Sequence, residues 1–280
     1  MTNILVGTCS WTDPALVRSG WYPPGWRDAE KRLRFYAGRF PVVEVDGTFY
    51  ALPSERNSRL WVERTPPEFV FDVKAYAVLT GHPARQAALA DVPPGEVWAR
   101  FAAGIEPLRE AGRLGGVLFQ FPPWFRPGAR AERFLEETAE RTAGWPVQVE
   151  FRHPSWWQEQ QEDLTCALLA KYGFAAVAVD MRQGLPASLP PVTPVTSDRL
   201  AVVRFHGRSS SWGRGSKEER FRYDYSRAEL AEWVPRVRDL AERVDQVHVL
   251  FNNCCAAAAV HAAETMDDLL SPRSAPSSSH

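Results

Sequence analysis

Much that would announce a function is missing from this sequence. No apolar run reaches the roughly 18 residues that a membrane-spanning helix needs. The opening MTNILVGTCSWTDP has no basic stretch leading into an apolar one, so no secretory leader is expected and the cytoplasm is the expected compartment. The four cysteines, Cys9, Cys166, Cys254 and Cys255, are scattered without CxxC spacing, which speaks against a disulfide frame or a zinc knuckle. No GxGxxG follows the first strand-like run, so dinucleotide binding has no support. GxSxG, HxH and HExxH are absent too, which removes the usual marks of a nucleophile elbow or a zinc hydrolase. Net charge is −1, so nothing global draws the chain to nucleic acid or an anionic membrane. Any such partner needs a local patch.

What is present is a regular alternation. Of 280 residues 45% are apolar and 24% charged, enough to bury a sizeable core. Eight strand-like runs recur: Asn3 to Cys9, Val42 to Phe49, Phe69 to Ala75, Gly116 to Phe121, Val147 to Arg152, Ala175 to Asp180, Leu200 to His206 and Val247 to Asn253. Between several of them lie helical patterns. Ala129 to Gly144 is amphipathic and stops at a glycine. Ser226 to Val244 opens with Ser226 and Glu229 at capping-box spacing, and Pro235 is expected to kink it. Val97 to Ala111 and Thr165 to Tyr172 read similarly. Strands alternating with helices predict a parallel sheet, and eight such units predict a single (β/α)8 TIM-type barrel over residues 1–270. The tail from 271 to 280 is rich in Ser and Pro and is expected to be disordered.

The strands carry a second message. Successive side chains alternate between faces. In VQVEFR, Val147, Val149 and Phe151 share one face, and Gln148, Glu150 and Arg152 share the other. Repeated over the other strands, one face is apolar and the second turns polar toward the C-terminal end. That second face collects Glu44, Asp46, Lys74, Gln120, Glu150, Arg152, Asp180, Arg204, His206 and Asn252. Barrels of this type keep their active sites at the C-terminal mouth, so these residues are expected to line a ligand site rather than a mere ion-pair network. The loop after the seventh strand adds Arg208, Arg214, Lys217, Arg220 and Arg222, and FNN (Phe251 to Asn253) leads into an alanine-rich helix whose first amides suit a phosphate. Trp98, Trp145 and Trp233 read as packing anchors. Trp11, Trp124, Trp156, Trp157 and Trp212 follow strands, where they either stack on a ligand or plug loops onto the barrel.

These stretches resemble the YecE-like family, also called domain of unknown function 72. The resemblance runs from GTCSW (Gly7 to Trp11) through VVEVDGTFYALP (Val42 to Pro53), FVFDVKA and TGH (Thr80 to His82). It continues through LFQFPPWF (Leu118 to Phe125), VEFRHPSW (Val149 to Trp156), VAVD, VRFHGR (Val203 to Arg208) and FNN. It implies a TIM barrel and a site at its mouth, but no reaction. Asp46-Gly47 stands where the family often has Asn-Ser. Ala256, Ala257 and Ala262 stand where it usually shows a glycine and polar residues, which puts retention of any family activity in question.

The expected function is therefore binding of, and acid–base chemistry on, a small phosphorylated or nucleotide-like anion. Lys74, Arg152, Arg204, Asn252 and Asn253 would grip the anion, with Asp46, Gln120, Trp11 and Trp156 beside it. Glu44, Glu150, Asp180 and His206 would handle protons or hydroxyls. No particular cofactor is implied. His206, Asp180, Glu44 and Glu150 are the residue types of a two-metal set, but the metal spacings are missing, and no elbow marks Cys9 or Ser10 as a nucleophile. Two other readings remain: a non-catalytic module for single-stranded nucleic acid, and a glycosidase-like hydrolase using Glu44 and Glu150.

Overall fold

All eight Val- and Phe-rich runs form strands in the computed structural model: β1 (Ile4–Thr8), β2 (Val42–Val45), β3 (Val70–Lys74), β4 (Leu114–Phe121), β5 (Val147–Phe151), β6 (Ala175–Asp180), β7 (Leu200–Phe205) and β8 (Gln246–Phe251). They pair in parallel in sequence order, and β8 closes on β1 from Ile4↔Val247 to Thr8↔Phe251. The chain is thus a (β/α)8 TIM-type barrel. The structure describes residues 3–26, 28–211, 219, 222–253 and 256–271. Trp212, Arg214, Lys217 and Arg220 of the basic loop, Cys254 and Cys255, and the tail beyond Ser271 lie outside them. Among the described residues no helix is long and apolar enough to cross a membrane.

The helices are α1 (Pro14–Arg18), α2 (Ala29–Ala37), α3 (Glu55–Glu63), α4 (Pro94–Glu110), α5 (Ala129–Arg141), α6 (Gln160–Lys171), α7 (Arg227–Ala231), α8 (Val234–Arg243) and α9 (Ala258–Leu270). Asp13 caps α1 and Ser54 caps α3 by accepting first-turn amides. Ser226 and Glu229 form the expected reciprocal box. Pro235 does more than kink its helix. It cannot donate an amide hydrogen bond, and the helical stretch divides into α7 and α8 just ahead of it. β2 is shorter than its apolar run, because Asp46–Phe49 winds into a 3-10 turn that Thr48 ties to the carbonyls of Val45 and Lys74 at 2.7 and 2.6 Å.

One crossover departs from the pattern. Between β6 and β7, residues 181–199 form no helix. Pro186, Pro190, Pro191 and Pro194 disfavour one, and the segment runs as an irregular strap. Thr196 sews it to the sheet: its hydroxyl accepts from Ala176 N at 2.8 Å and donates to Phe174 O at 2.6 Å.

The core lies in two shells. Outside the sheet, Val43, Phe71, Phe119, Phe121, Val149, Phe151, Val203, Phe205, Val249 and Phe251 pack fully buried toward the helices. Inside, below the mouth, sits a polar layer: His248 Nδ1 lies 2.8 Å from Asp72 Oδ2, and Gln148 is buried nearby. Room for it comes from Gly115 and Gly116. A Cβ on Gly116 would fall 1.9 Å from the Gln148 amide nitrogen, and one on Gly115 2.7 Å from Asp72 Oδ1.

Thr196→Val keeps the shape but leaves the buried Ala176 N–H and Phe174 carbonyl without their partner. The expected loss is about 1–3 kcal/mol in urea unfolding. An unchanged midpoint would show that the strap is not held by this hydroxyl.

Candidate ligand site at the barrel mouth

Residues paired across neighbouring strands face the same side of a sheet. The register therefore settles which side chains point inward. Glu44 pairs with Asp72, Lys74 with Leu118, Gln120 with Glu150, and Arg204 with Leu250, and all of these face the lumen. The expected inward set is brought together on β2, β3, β4, β5, β7 and β8, with one exception. On β6, Val179 pairs with the inward Arg204, and Asp180 pairs with the outward Phe205. Asp180 therefore faces away from the mouth. Its oxygens accept from Tyr225 OH at 2.6 Å, Trp233 Nε1 at 2.7 Å and Arg208 at 2.7 to 3.1 Å. The proton-handling role expected of it at the mouth is excluded by this orientation, and the four-residue metal set is not assembled.

At the centre of the lumen lies Arg204, with no exposed surface. Its Nε and Nη2 donate to both oxygens of Glu44 at 2.9 and 2.7 Å, and its Nη1 donates to Glu150 Oε2. The other Glu150 oxygen accepts from Gln120 Nε2 at 2.8 Å and Arg152 Nη1 at 2.9 Å. It also lies 3.0 Å from His206 Nε2. The tautomer of His206 follows from its other neighbour. Asn252 Nδ2, which can only donate, lies 3.1 Å from Nδ1, so Nδ1 accepts and Nε2–H donates to Glu150.

Burial is the largest influence on each of these groups, and the neighbours decide the outcome. It lowers His206 to about 4, with Glu150 pulling the other way, so the ring is neutral at physiological pH. Burial alone would raise Glu150, but Arg204, His206 and Arg152 together hold its carboxyl well below the usual range. For Glu44 burial prevails over Arg204 and Lys74, and its carboxyl is raised. Cys9, 3.6 Å from Arg204 Nη2, is pushed up chiefly by burial and stays a thiol. That is the wrong state for a nucleophile.

Above this floor stands a less buried rim. Lys74 Nζ pairs with Asp46 at 2.7 Å, with side chains 8% and 24% exposed, and Arg152 is 17% exposed. Gln120 and Asn252 are half-buried. The floor carboxylates Glu44 and Glu150 have no exposure at all. Asn253 is buried, giving its Nδ2 to Tyr223 O at 2.9 Å, so it belongs to loop packing. Trp156 is sealed in an aromatic stack, 3.8 Å from Phe151, with its indole N–H on Phe125 O. Trp11 packs edge-on against Trp61 of α3. Neither presents a face to a ligand, which corrects their expected roles. The aromatics that do stand at the rim include Trp124, 63% exposed, and Tyr50. Trp124 packs edge-on to His82, which packs edge-on to Phe49, and Phe49 lies 4.8 Å beneath Lys74 Nζ. Phe49, Tyr50 and His82 lie in the stretches VVEVDGTFYALP and TGH, but the sequence reading gives them no role at the site. Their signal was the aromatic clustering immediately after the second, third and fourth strands. Beyond β8, Ala256 holds the left-handed φ of 47° that glycine adopts without penalty.

A family model described as protein of unknown function DUF72 matches residues 5–279. The UPF0759 protein YunF of Bacillus subtilis is 32% identical over 95% of this chain and 94% of its own length. The UPF0759 protein YecE of Escherichia coli K12 is 30% identical over 64% of this chain and 60% of its own. Two solved DUF72 proteins share the fold: one from Thermotoga maritima with a TM-score of 0.81 at 32% identity, covering 95% of this chain and 98% of that one. The other is from Enterococcus faecalis, with a TM-score of 0.83 at 25% identity, covering 95% and 97%.

Two measurements probe the floor. Arg204→Met leaves both carboxylates buried without their shared partner and is expected to cost about 3–5 kcal/mol in chemical unfolding. A smaller loss would mean the carboxylates relax to solvent. For His206 the sign follows from its lowered value: below pH 6.5 the unfolded chain takes up a proton that the folded chain refuses until about pH 4. Stability therefore falls as pH drops through that interval, and His82, also lowered to about 4, acts in the same direction. His206→Gln is expected to reduce the slope of unfolding free energy against pH there by about one proton equivalent. An identical slope would refute the neutral assignment.

Proposed function

The chain belongs to the DUF72 family of proteins of unknown function, and on that premise we propose that its barrel mouth binds a small phosphorylated or nucleotide-like anion. The observation that carries this reading is the division of cations. Arg204 is locked in the floor, while Lys74 and Arg152 keep some exposure, Lys74 paired with Asp46 and Arg152 with Glu150. An oxyanion above them meets an ammonium and a guanidinium at once, with the half-buried amides of Gln120 and Asn252 beside it. The neutral His206 adds no positive charge of its own, so the two rim cations carry the attraction. The exposed Trp124 supplies a face on which a nucleobase can stack.

Acid–base chemistry in this reading passes from the floor to the rim. Glu44 and Glu150 have every oxygen engaged by Arg204 or its neighbours and meet no water. Asp46 is the carboxylate of the ring with appreciable exposure. A phosphate that draws Lys74 away from Asp46 leaves that carboxylate facing the ligand's hydroxyls, where it can accept a proton. A glycosidase built on Glu44 and Glu150 fits less well, because both carboxylates clasp one guanidinium instead of flanking an open cleft.

Thermal shift against inorganic phosphate, ribose 5-phosphate and adenosine monophosphate tests this. A bound ligand at a hundredfold its dissociation constant adds about 2.7 kcal/mol, so a rise in melting temperature is expected. Arg152→Ala and Lys74→Ala should each reduce it. Trp124→Ala should weaken the nucleotide and leave phosphate unchanged. No rise with any of the three, or a rise that neither cation change reduces, would sink the proposal.

A further inference from the structure

The helix absent between β6 and β7 leaves a space of its own. Between the strap of residues 181–199 and the start of α8 lies a cleft of about 560 Å³, with Arg182, Arg208, Glu232, Trp233 and Arg236 among its walls. This is within the range of roughly 300–1,000 Å³ typical of small-ligand pockets. It is separate from the mouth, because Asp180 at its inner end faces outward from the sheet.

The charges in the cleft are unevenly matched. Its lining carries the guanidinium groups of Arg182, Arg208 and Arg236 against the carboxylates of Asp180 and Glu232. Both carboxylates are engaged by the same partner: Arg208 pairs with Asp180 at 2.7 Å and with Glu232 at 3.2 Å. Two cations are then left over. Arg182 is exposed, and its guanidinium makes no hydrogen bond or ion pair among the described residues. Arg236 lies 5.0 Å over the Trp233 ring and donates to Pro191 O at 2.6 Å, which holds it across the cleft from α8 to the strap. The same wall carries the N-terminus of α8, whose cap residue Trp233 makes no side-chain capping bond. The positive end of that helix adds to the field of the two arginines.

We propose that this cleft is a second binding site, for a small anion whose carboxylate or phosphate group is held between Arg182 and Arg236. The forked guanidinium suits either oxyanion, with Arg236 already oriented by its stacking on Trp233. Arg208 is a positioning residue that neutralises Asp180 and Glu232 and keeps them from repelling the anion.

Trp233 offers the readout, because its indole N–H donates to Asp180 Oδ2 at 2.7 Å at the inner end of the cleft. In 1H–15N correlation spectra of the full chain, its resonance is assigned by its loss in Trp233→Phe, or by backbone assignment of the wild type should that variant not fold. Titration with inorganic phosphate and, separately, with succinate is expected to move this resonance saturably with at least one of them, and the anion that does so names the class. Arg182→Ala and Arg236→Ala, both at exposed positions, should each raise the half-saturating concentration at least about tenfold, the loss of a charge-assisted pair. Lys74→Ala should leave it unchanged, so the reading of the mouth and the reading of the cleft stand or fall separately. No displacement with either anion, or one that persists in both arginine variants, overturns the proposal.

Discussion

Arg204 is the point about which the interior is arranged. A guanidinium with no access to water is tolerable only if its donors meet acceptors, and here carboxylates from β2 and β5 close on it from opposite sides. The three strands so joined are not neighbours, so the clasp spans the lumen rather than running along the sheet. Such a clasp is weak ground for net stability, since apolar side chains of the same volume often do as well. What it achieves is position: both carboxylates are held where Gln120, Arg152 and His206 can reach one of them.

From that clasp follows the division of the mouth into a floor and a rim. The floor groups are saturated by one another, and their protonation is set by burial and by Arg204. His206 is neutral because a charged imidazole there would be stripped of water beside two arginines, and the carboxylate of Glu150 only partly offsets that. Groups able to meet a solute are those one residue higher, Asp46, Lys74 and Arg152, whose pairs stay partly hydrated. In the proposed reading binding belongs to the rim, and the floor holds the rim in place.

β7 links the two regions of interest. Its inward Arg204, with His206 just beyond the strand, serves the mouth, while its outward Phe205 packs on Trp233 and Tyr225 under the second cleft. Asp180 and Arg208 stand on that outer side, joined in a fork with Tyr225 and Trp233. A strand alternates its faces residue by residue, so adjacent positions can equip sites on opposite sides of one sheet.

The strand count, the parallel barrel and most of the inward set were legible in the chain, because Val and Phe alternate with charged residues in VEVD, FDVK and VQVEFR strongly enough to set the phase of each strand. The lower layer of Asp72, Gln148 and His248 follows the same alternation, one inward position below the mouth set. In AAVAVD the pattern fails: every residue before the aspartate is small and apolar, nothing distinguishes the faces, and only the pairing of Val179 with Arg204 turns Asp180 outward. The burial of Trp11 and Trp156 was equally out of reach, since a tryptophan after a strand reads the same whether it stacks on solute or on Phe151. Local alternation decides which residues share a face, because the pleat is a property of consecutive residues. Which face looks inward, how deep a charge lies and what stands opposite it are decided by closure of the barrel, which brings together residues as far apart in sequence as Glu44 and Arg204.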